Sequence, residues 1–234
     1  MGATGAVGTE LVRSLLASPR VGRVIALGRR PVEIAGAAQG SEGPRGSASR
    51  LINHSVDVFD PVSYENLLAG NPAAFCTLGL GQPSKVAREE LYRVDVAAPA
   101  AFAAACKRQG VAHFSLLTAV GADSASRFHY LHCKGEVEDR VRAEGFARTS
   151  LFRPSMIMTP TNRYGLTQAI TLIAYPWLDP FLIGPLRLYR SIKVAELGKA
   201  MALNAERPGS GVEILEWSGF RSILQASHAL QSPA

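Results

Sequence analysis

The chain has 234 residues, of which 47% are hydrophobic and 19% are charged, and its formal net charge is +6. This length and apolar content suffice to bury one sizeable core, so we predict a single domain over residues 1–234. The 25 basic residues occur singly or in pairs rather than in a dense run. That distribution argues against a nucleic-acid partner and favours a solvated basic surface that suits a phosphate-bearing small molecule.

Cys76, Cys106 and Cys133 are the cysteines of the chain, and they show no C-x-x-C spacing. An odd number of cysteines without metal-ligand spacing indicates buried or free thiols in a reducing compartment rather than disulfides or a metal site. The sequence shows no secretory signal. We therefore predict a cytoplasmic protein that binds no metal.

The chain opens with the glycine-rich run Gly2-Ala3-Thr4-Gly5-Ala6-Val7-Gly8, which leads into a pattern typical of an amphipathic helix. A glycine turn at a helix N-terminus suits a pyrophosphate, because the backbone can approach the ligand closely and its free N–H groups face negative charge. Three glycines alone also occur in surface loops and helix caps. The nucleotide interpretation gains support from residues 23–30, a buried-strand pattern that ends in Arg29 and Arg30, about 20 residues past the glycines.

Only Met1 precedes the first glycine, whereas a glycine turn of this kind normally follows a buried strand of about five residues in the middle of the sheet. We therefore expect the first, central strand to be missing. Each ladder hydrogen bond lost with it is worth about 1 kcal/mol net, out of a total stability of about 5–15 kcal/mol. Our hypothesis is a start site placed too far downstream or an artificial sequence boundary, which N-terminal sequencing of native protein tests.

The rest of the chain alternates between strand and helix patterns. After a loop rich in Gly, Ser, Ala and Pro at 31–50, the predicted elements are strand 51–56, helix 62–68, strand 73–78, helix 89–109 with a bend or a join at Pro99, strand 111–118, helix 130–144 and strand 149–154. Helices near 164–174, 194–204 and 220–228 and a strand at 212–215 complete the chain. Regular alternation predicts an α/β protein with a doubly wound, parallel Rossmann-type sheet and helices on both faces.

Residues 166–189 are apolar enough to raise the question of a membrane span. The segment carries Asp179 and Arg187, and Pro176, Pro180 and Pro185 divide it into pieces shorter than the about 20 residues that a spanning helix needs. We predict no transmembrane helix. We interpret the segment as an apolar lid, or as a surface that docks on a protein partner or a membrane.

Tyr130 and Lys134 are four residues apart on a predicted helix and therefore share one face. Thr118 ends the preceding strand, twelve residues upstream of Tyr130. In such an arrangement the phenol exchanges a proton with a substrate carbonyl, the ammonium lowers the pKa of the phenol, and the hydroxyl holds the carbonyl. An inward-packed Tyr beside a solvated Lys has the same spacing, so the pair is informative only together with the glycine turn.

Together these features resemble the atypical short-chain dehydrogenase/reductases and, within them, the Tat-interacting oxidoreductase-like proteins. The resemblance covers most of residues 2–154, whereas the C-terminal third matches more loosely. The matching runs are residues 2–8, 27–30, 75–79, 93–95, 113–118, 121–123, 130–138 and 152–154.

The resemblance implies a nucleotide-binding core at 1–154 and a substrate or lid region at 155–234. It places Thr118, Tyr130 and Lys134 in the catalytic positions, with Thr118 where related proteins usually carry Ser. NADP(H), rather than NAD(H), is the implied cofactor. The implied cofactor-binding residues are Gly2, Thr4, Gly5, Ala6, Val7, Gly8, Arg29, Arg30, Asp57, Val58, Leu78, Gly79, Tyr130, Lys134, Arg153 and Pro154.

Several of these positions have a second interpretation. Arg29 and Arg30 would neutralise the 2′-phosphate of NADP(H), or they form a solvated strand end. Asp57 would accept a hydrogen bond from adenine, or it caps a turn. Arg153, with Pro154, would lie beside the nicotinamide, or it forms a structural salt bridge.

Three hypotheses about function follow. The first is an NADP(H)-dependent oxidoreductase for a small carbonyl or alcohol, with a lipophilic substrate if residues 166–188 cover the site. The second is a regulatory protein that binds NADP(H) and a protein partner but catalyses little, since a fold does not dictate activity. The third is a truncated, inactive form, which follows from the missing strand.

Overall fold

The computed structural model describes residues 1–35, 39–40, 50–160 and 179–229. The α-helices among them are α1 (Ala6–Ala17), α2 (Arg88–Tyr92), α3 (Ala98–Arg108), α4 (His129–Ala143), α5 (Val194–Ala205) and α6 (Trp217–Ala229). The strands are β1 (Val24–Gly28), β2 (Gln39–Gly40), β3 (Leu51–Ser55), β4 (Ala73–Cys76), β5 (His113–Leu117), β6 (Arg148–Phe152), β7 (Ile157–Met158), β8 (Ile192–Lys193) and β9 (Gly211–Leu215). The helix predicted at 164–174 lies outside the described residues.

Every strand pair among the described residues is parallel. One sheet has the strand order β1-β3-β2, a second has the order β4-β5-β6-β9, and β7 pairs with β8. Parallel strands must be joined by crossovers, and in the second sheet the intervening helices supply them. The predicted α/β fold with parallel, Rossmann-type sheets is confirmed.

Adjacent residues of the buried strands pack on opposite sides of the sheet. Leu116 and Leu151 belong to a core cluster shared with α3 and α4. Their neighbours Leu117 and Phe152 contact a second cluster that contains buried residues of α1, α5 and α6. Because side chains alternate along a strand, this division places helices on both faces of the second sheet, as predicted.

The predicted short helix at 62–68 is instead a pair of 3₁₀ turns, Pro61–Ser63 and Glu65–Leu67. Asp60 caps the first turn as expected, because its Oδ1 accepts a hydrogen bond from the Val62 amide at 3.0 Å. The predicted loop at 31–50 contains the short strand β2. Two-residue strands such as β2 and β7 are too short for a periodic pattern to predict.

The long helix predicted at 89–109 is interrupted between α2 and α3 by a π-helical turn, Arg93–Ala97. Pro99 lies in the first turn of α3. It has no N–H, and its ring clashes with the carbonyl four residues earlier, so a regular α-helix cannot continue through this point. Of the bend or join predicted at Pro99, the structure shows a join, since the π-helical turn links α2 to α3 just before this proline.

The two larger sheets are separated where the sequence predicts a missing strand. Among the described strands, β1 pairs only with β3 and β4 pairs only with β5. Met1 lies beside β4: its amine donates to the Phe75 carbonyl at 2.6 Å, and its carbonyl accepts from the Thr77 amide at 3.0 Å. Met1 therefore occupies the position of the last residue of a strand. None of the described strands lies between β1 and β4.

A buried polar network lies across β5, β6 and β9. His113 Nε2 is 2.7 Å from Ser150 Oγ, Ser150 donates to Glu213 at 2.6 Å, and Arg148 pairs with Glu213 at 2.7 Å. Burial, aided by the Arg148 charge and opposed by Glu213, lowers the pKa of His113 to about 4 from its ordinary 6.5. The folded protein therefore keeps this imidazole neutral.

We expect the free energy of unfolding to fall as pH is lowered from about 6.5 to about 4. In this window the unfolded chain binds a proton at His113 that the folded chain does not, which gives a slope approaching about 1.4 kcal/mol per pH unit. Urea unfolding at a series of pH values measures it. His113→Gln should remove this contribution, whereas His54→Gln on β3 serves as a matched control; an unchanged slope in the first variant would contradict the assignment.

Candidate active site

The glycine-rich run forms a tight turn that leads directly into α1. Gly2 has a φ of 88°, and a Cβ at this position would lie 2.6 Å from the Leu78 amide nitrogen. A Cβ on Gly8 would lie 2.2 Å from the Gly2 carbonyl oxygen. Only glycine therefore fits at either position without a shift of backbone, because real Cβ atoms essentially never make such contacts.

No side chain caps the N-terminus of α1, which directly follows this turn. Gly5 is the N-cap and supplies no side-chain acceptor to the first helical turn. The N–H groups of a first turn have no intrahelical partners, so they can donate to an anion. Thr4 is exposed and Ala6 is half-buried at the helix start, whereas Val7 is buried in the core.

Arg29 and Arg30, which the sequence analysis assigned to the 2′-phosphate, follow the carboxyl end of β1 and are exposed. Asp57 and Val58 follow β3, the neighbouring strand. Asp57 is exposed, and its Oδ1 accepts a hydrogen bond from the Phe59 amide at 2.9 Å. Asp57 therefore caps a turn, which is one of the two roles that the sequence left open, the other being adenine binding. Val58 is part of the core.

The segment after β4 connects the glycine turn to Lys134. Thr77 donates from Oγ1 to the Gly2 carbonyl at 3.1 Å, and Leu78 lies against Gly2. Gly79 comes two residues after Thr77, and a Cβ at this position would lie 3.4 Å from Lys134 Nζ. The glycine turn and the predicted catalytic lysine therefore lie at the same edge of the molecule, separated by residues 77–79.

Lys134 is buried in an ion pair with Asp95. Its Nζ lies 2.9 Å from Asp95 Oδ2, and the two side chains are 7% and 0% exposed. Asp95 Oδ1 also accepts a hydrogen bond from the Leu80 amide at 2.8 Å. Burial is the largest single influence and would lower the pKa of Lys134, but the charge of Asp95, the nearby Tyr130 and the hydrogen bond to Asp95 together outweigh it, and the pKa is raised. The lysine therefore carries its charge at neutral pH.

Asp95 was missed as a site residue by the sequence analysis. It lies in the π-helical turn before Pro99, and a widened turn of this kind often occurs at functional sites. The proline at position 99 is the signal that could have drawn attention to this turn. The sequence alone did not show that the turn directs Asp95 toward Lys134.

Tyr130 lies one helical turn before Lys134 on α4, with Lys134 Nζ 5.6 Å from the centroid of its ring. Burial raises the pKa of the phenol; the ammonium of Lys134 lowers it and the carboxylate of Asp95 raises it. The expected lowering by Lys134 is present, but the net shift is upward. The phenol is therefore protonated at neutral pH, which suits a proton donor.

Thr118 belongs to a buried cluster centred on Glu138, a residue that α4 directs inward. Thr118 Oγ1 donates to Glu138 Oε1 at 2.7 Å. Arg153 donates to the same carboxylate at 2.8 Å from Nε, and Arg142 pairs with it at 3.1 Å. Thr118 thus donates its hydroxyl proton to Glu138, and Arg153 has the structural salt bridge considered above. Pro154 accepts a hydrogen bond from the Val120 amide at 2.9 Å.

Gly135 sets the position of α4. A Cβ there would lie 2.0 Å from the Ser124 amide nitrogen and 2.6 Å from the Asp123 Cα. The loop at 121–128 therefore packs directly on the helix backbone between Lys134 and Glu136. His132 Nδ1 also lies 2.6 Å from the Ser124 carbonyl oxygen, which holds the same loop.

The described part of the predicted lid is a pair of 3₁₀ segments, Asp179–Phe181 and Gly184–Tyr189. Phe181, Ile183 and Leu186 are strongly exposed there. The Ser191 amide donates to Asp179 Oδ1 at 2.9 Å, which closes the segment on itself. Residues 166–178 of the predicted lid lie outside the described residues.

The three cysteines are buried and free, as predicted. In the part of the chain that the structure describes, no three His, Cys, Asp or Glu side chains gather closely enough to hold a metal ion. No helix among the described residues has both the length and the apolar character needed to cross a bilayer.

The fold and the glycine turn define a nucleotide-binding protein of the Rossmann type. A sequence profile described as NAD(P)H-binding matches residues 2–173, and the chain therefore belongs to this NAD(P)H-binding family.

Relatives of known sequence support the resemblance to the Tat-interacting oxidoreductase-like proteins. The chain is 29% identical over 222 residues to Protein HTATIP2 of Rattus norvegicus, covering 92% of this chain and 84% of that protein. It is 32% identical over 158 residues to Protein fmp52, mitochondrial, of Emericella nidulans, covering 67% of this chain and 65% of that protein. The chain thus matches just under two thirds of the fungal protein's length.

Solved structures share the fold at low sequence identity. MoeE5 in complex with UDP-glucuronic acid and NAD has a TM-score of 0.67 at 18% identity, covering 92% of this chain and 73% of that one. The oxidoreductase ylbE from Lactococcus lactis has a TM-score of 0.64 at 15% identity, covering 96% and 95%. At these identities the likeness shows the fold alone.

Proposed function

We propose that this protein is an NADP(H)-dependent oxidoreductase of the short-chain dehydrogenase/reductase type that acts on a small carbonyl or alcohol. The observation that carries the proposal is the continuous path of contacts from Gly2 through residues 77–79 to Lys134 and Tyr130. Because all of these groups lie at one edge, a single extended dinucleotide can contact both the glycine turn and the phenol. Membership of the NAD(P)H-binding family supports a nicotinamide cofactor of either type.

The residues present fit such a cofactor. Gly2 and Gly8 have no side chains, and this allows the tight turn, because a Cβ at either position would collide with backbone. The uncapped first turn of α1 offers N–H donors for a pyrophosphate. When bound, the nicotinamide supplies or accepts the hydride. Tyr130 would donate the proton to the substrate oxygen, and Lys134, held by Asp95, would stabilise the phenolate that remains.

Thr118 is the proposed residue that would hold the substrate carbonyl, as the family resemblance implies. In this structure the Thr118 hydroxyl donates a hydrogen bond to Glu138. The hydroxyl would have to turn away from that carboxylate to donate to a substrate. Glu138 would keep its bonds from Arg153 and Arg142 during such a turn. Residues 155–234 are the proposed substrate side, and the exposed apolar side chains at 181–189 suit a lipophilic substrate.

The activity is tested by titrating the protein with NADPH, followed by fluorescence, and then by measuring NADPH oxidation with a panel of carbonyl compounds. Saturable NADPH binding with turnover of at least one carbonyl is the expected result. Binding without turnover of any panel member would instead favour a regulatory protein. Absence of binding would contradict both functions and favour an inactive form.

A preference for NADPH over NADH is expected to depend on the two exposed cations after β1. Arg29 and Arg30 follow the strand about 20 residues past the glycine turn, where an acidic residue favours NAD and a cation accommodates the 2′-phosphate. Replacing both by Glu should weaken NADPH binding by about tenfold or more, since two favourable charge contacts become repulsive, and should leave NADH binding almost unchanged.

The control for this charge change is Arg207→Glu, at an exposed position after α5, which changes the net charge by half as much as the double variant. It alters the net charge in the same direction without altering the carboxyl edge of β1. Fluorescence titrations of all variants with both cofactors at one ionic strength provide the comparison. Equal losses for NADPH and NADH, or an equal loss in the control, would contradict the assignment.

The second candidate function is an NADP(H)-binding regulatory protein that acts through a protein partner. The similarity to Protein HTATIP2 and the exposed apolar side chains Phe181, Ile183 and Leu186 favour it. A reducing compartment is proposed for either function, because the three cysteines are buried free thiols. The cytoplasm satisfies this condition, and the mitochondrial label of the fungal relatives names a second location to test by fractionation.

A further inference from the structure

Exposed apolar side chains are concentrated in residues 181–189, which we call the apolar segment. Phe181 is 76% exposed, Ile183 is 63%, Leu186 is 51% and Tyr189 is 45%. Elsewhere in the described residues, the large apolar side chains that are exposed occur singly or as a pair on one strand. Single exposed apolar residues are normal on a protein surface, whereas a group of them marks an interaction site.

The backbone of the apolar segment is anchored by hydrogen bonds. The Ser191 amide donates to Asp179 Oδ1 at 2.9 Å, and the Ser191 carbonyl accepts from Trp217 Nε1 at 3.0 Å. These bonds join the end of the segment to its start and to α6, and two 3₁₀ turns lie between them. The exposed side chains therefore project from ordered turns, and a surface that covers them gains apolar contact without having to order the backbone.

The charged side chains within and just after the apolar segment are all basic. Residues 180–193 contain Arg187, Arg190 and Lys193 and no acidic residue. Arg187 and Lys193 are exposed, whereas the Arg190 guanidinium packs over the Trp217 ring at 5.0 Å. A surface that complements this part of the chain therefore combines apolar contact with negative charge, as a bilayer with anionic headgroups does.

The size of the exposed apolar surface favours a bilayer over a protein partner. Large apolar side chains present roughly 200 Å² each when fully accessible, so the four exposed side chains present on the order of 450 Å². A stable protein interface uses about 800 Å² on each partner. A bilayer requires less apolar contact, because its anionic headgroups attract basic side chains as well.

From these observations we propose that the apolar segment binds the surface of a bilayer that contains anionic lipids. Phe181, Ile183 and Leu186 enter the boundary between headgroups and acyl chains. Arg187 and Lys193 lie against the negatively charged headgroups. The contact is peripheral, because side chains at such a boundary are buried by only about 5–10 Å. This proposal does not depend on the proposed enzymatic function.

The test uses the full chain and sedimentation with vesicles of phosphatidylcholine, either alone or with about one third phosphatidylserine. Binding to the anionic vesicles should be stronger by about tenfold or more and should weaken as salt is added. Arg187→Gln with Lys193→Gln should abolish this preference. Arg23→Gln with Arg207→Gln, the matched control, removes two exposed charges elsewhere and should preserve most of it. Equal binding to both kinds of vesicle, or equal effects of the two double variants, would overturn the proposal.

The contribution of the apolar side chains is tested separately. Phe181→Ser with Ile183→Ser should weaken binding to the anionic vesicles by about tenfold or more, because both positions lose apolar contact. The matched control is Phe128→Ser with Val62→Ser, at positions that are 75% and 81% exposed on other elements, and it should bind like the unchanged protein. All four positions are exposed, so each variant should keep its unfolding midpoint. Absence of binding to the anionic vesicles, or equal losses in the two variants, would overturn the proposal and leave a protein partner or a substrate to cover the segment.

Discussion

Replacing Tyr130 by Phe is expected to reduce the turnover of carbonyl substrates by about 10²- to 10⁴-fold, the usual contribution of a positioned proton donor. The variant loses one hydroxyl and keeps the ring that lies 5.6 Å from Lys134 Nζ. NADPH affinity should change little, because the glycine turn and the open first turn of α1 are untouched. Stopped-flow or steady-state NADPH oxidation, together with a fluorescence titration, separates the two quantities.

Tyr92→Phe is the matched control for this substitution. Tyr92 also lies beside α4, where its hydroxyl donates to Glu136 at 2.8 Å, but it makes no contact with Lys134 among the contacts described. Its loss should leave turnover unchanged. Full activity in the Tyr130 variant, or equal losses in both variants, would refute the catalytic assignment and leave the regulatory function as the better hypothesis.

The pH dependence of the reaction provides a second check on Tyr130. Since burial raises the pKa of this phenol above its ordinary value, the proton donor should stay loaded throughout the neutral range. Carbonyl reduction should therefore decline only in alkaline solution. A decline that begins near neutral pH would indicate a different acid.

Replacing Asp95 by Asn is expected to lower the free energy of unfolding by about 3–5 kcal/mol. Its carboxylate is fully buried against Lys134 Nζ at 2.9 Å, and removal of one partner leaves an uncompensated buried charge. The pKa of Lys134 should fall, because burial then acts on the ammonium without its main opposing charge. Urea unfolding measures the loss of stability.

A double-mutant cycle distinguishes this ion pair from simple loss of packing. Lys134→Met added to Asp95→Asn removes the stranded charge, so the double variant should be less destabilised than the sum of the two single variants. Glu65→Gln, which removes a partly exposed carboxylate paired with Arg108, is the control and should have little effect. Strict additivity at positions 95 and 134 would contradict a coupled pair.

Much of the fold could be predicted from the sequence because its signals are local. The apolar run of β6 and the helical pattern of α4 each fall within three residues of the predicted bounds. Pro99 correctly indicated a join in the long helix, which the π-helical turn before it provides. The glycine spacing predicted the turn before α1, since two of its glycines occupy positions where a Cβ would collide with backbone.

The parts of the site that could not be predicted depend on contacts between distant residues. Asp95 meets Lys134 because a π-helical turn redirects it, and Thr118 donates to Glu138 across 20 residues of chain. Burial of Tyr130 reverses the net pKa shift expected from its spacing to Lys134. Each of these effects follows from tertiary packing and not from any pattern along the sequence.

The contact at Gly135 has a consequence for attempts to redesign this protein. The helix that presents Tyr130 and Lys134 touches the Asp123–Ser124 backbone through a position where no side chain fits. Small substitutions therefore cannot slide or rotate that helix to accommodate a bulkier substrate. Changes in selectivity would therefore have to leave this contact between helix and loop in place.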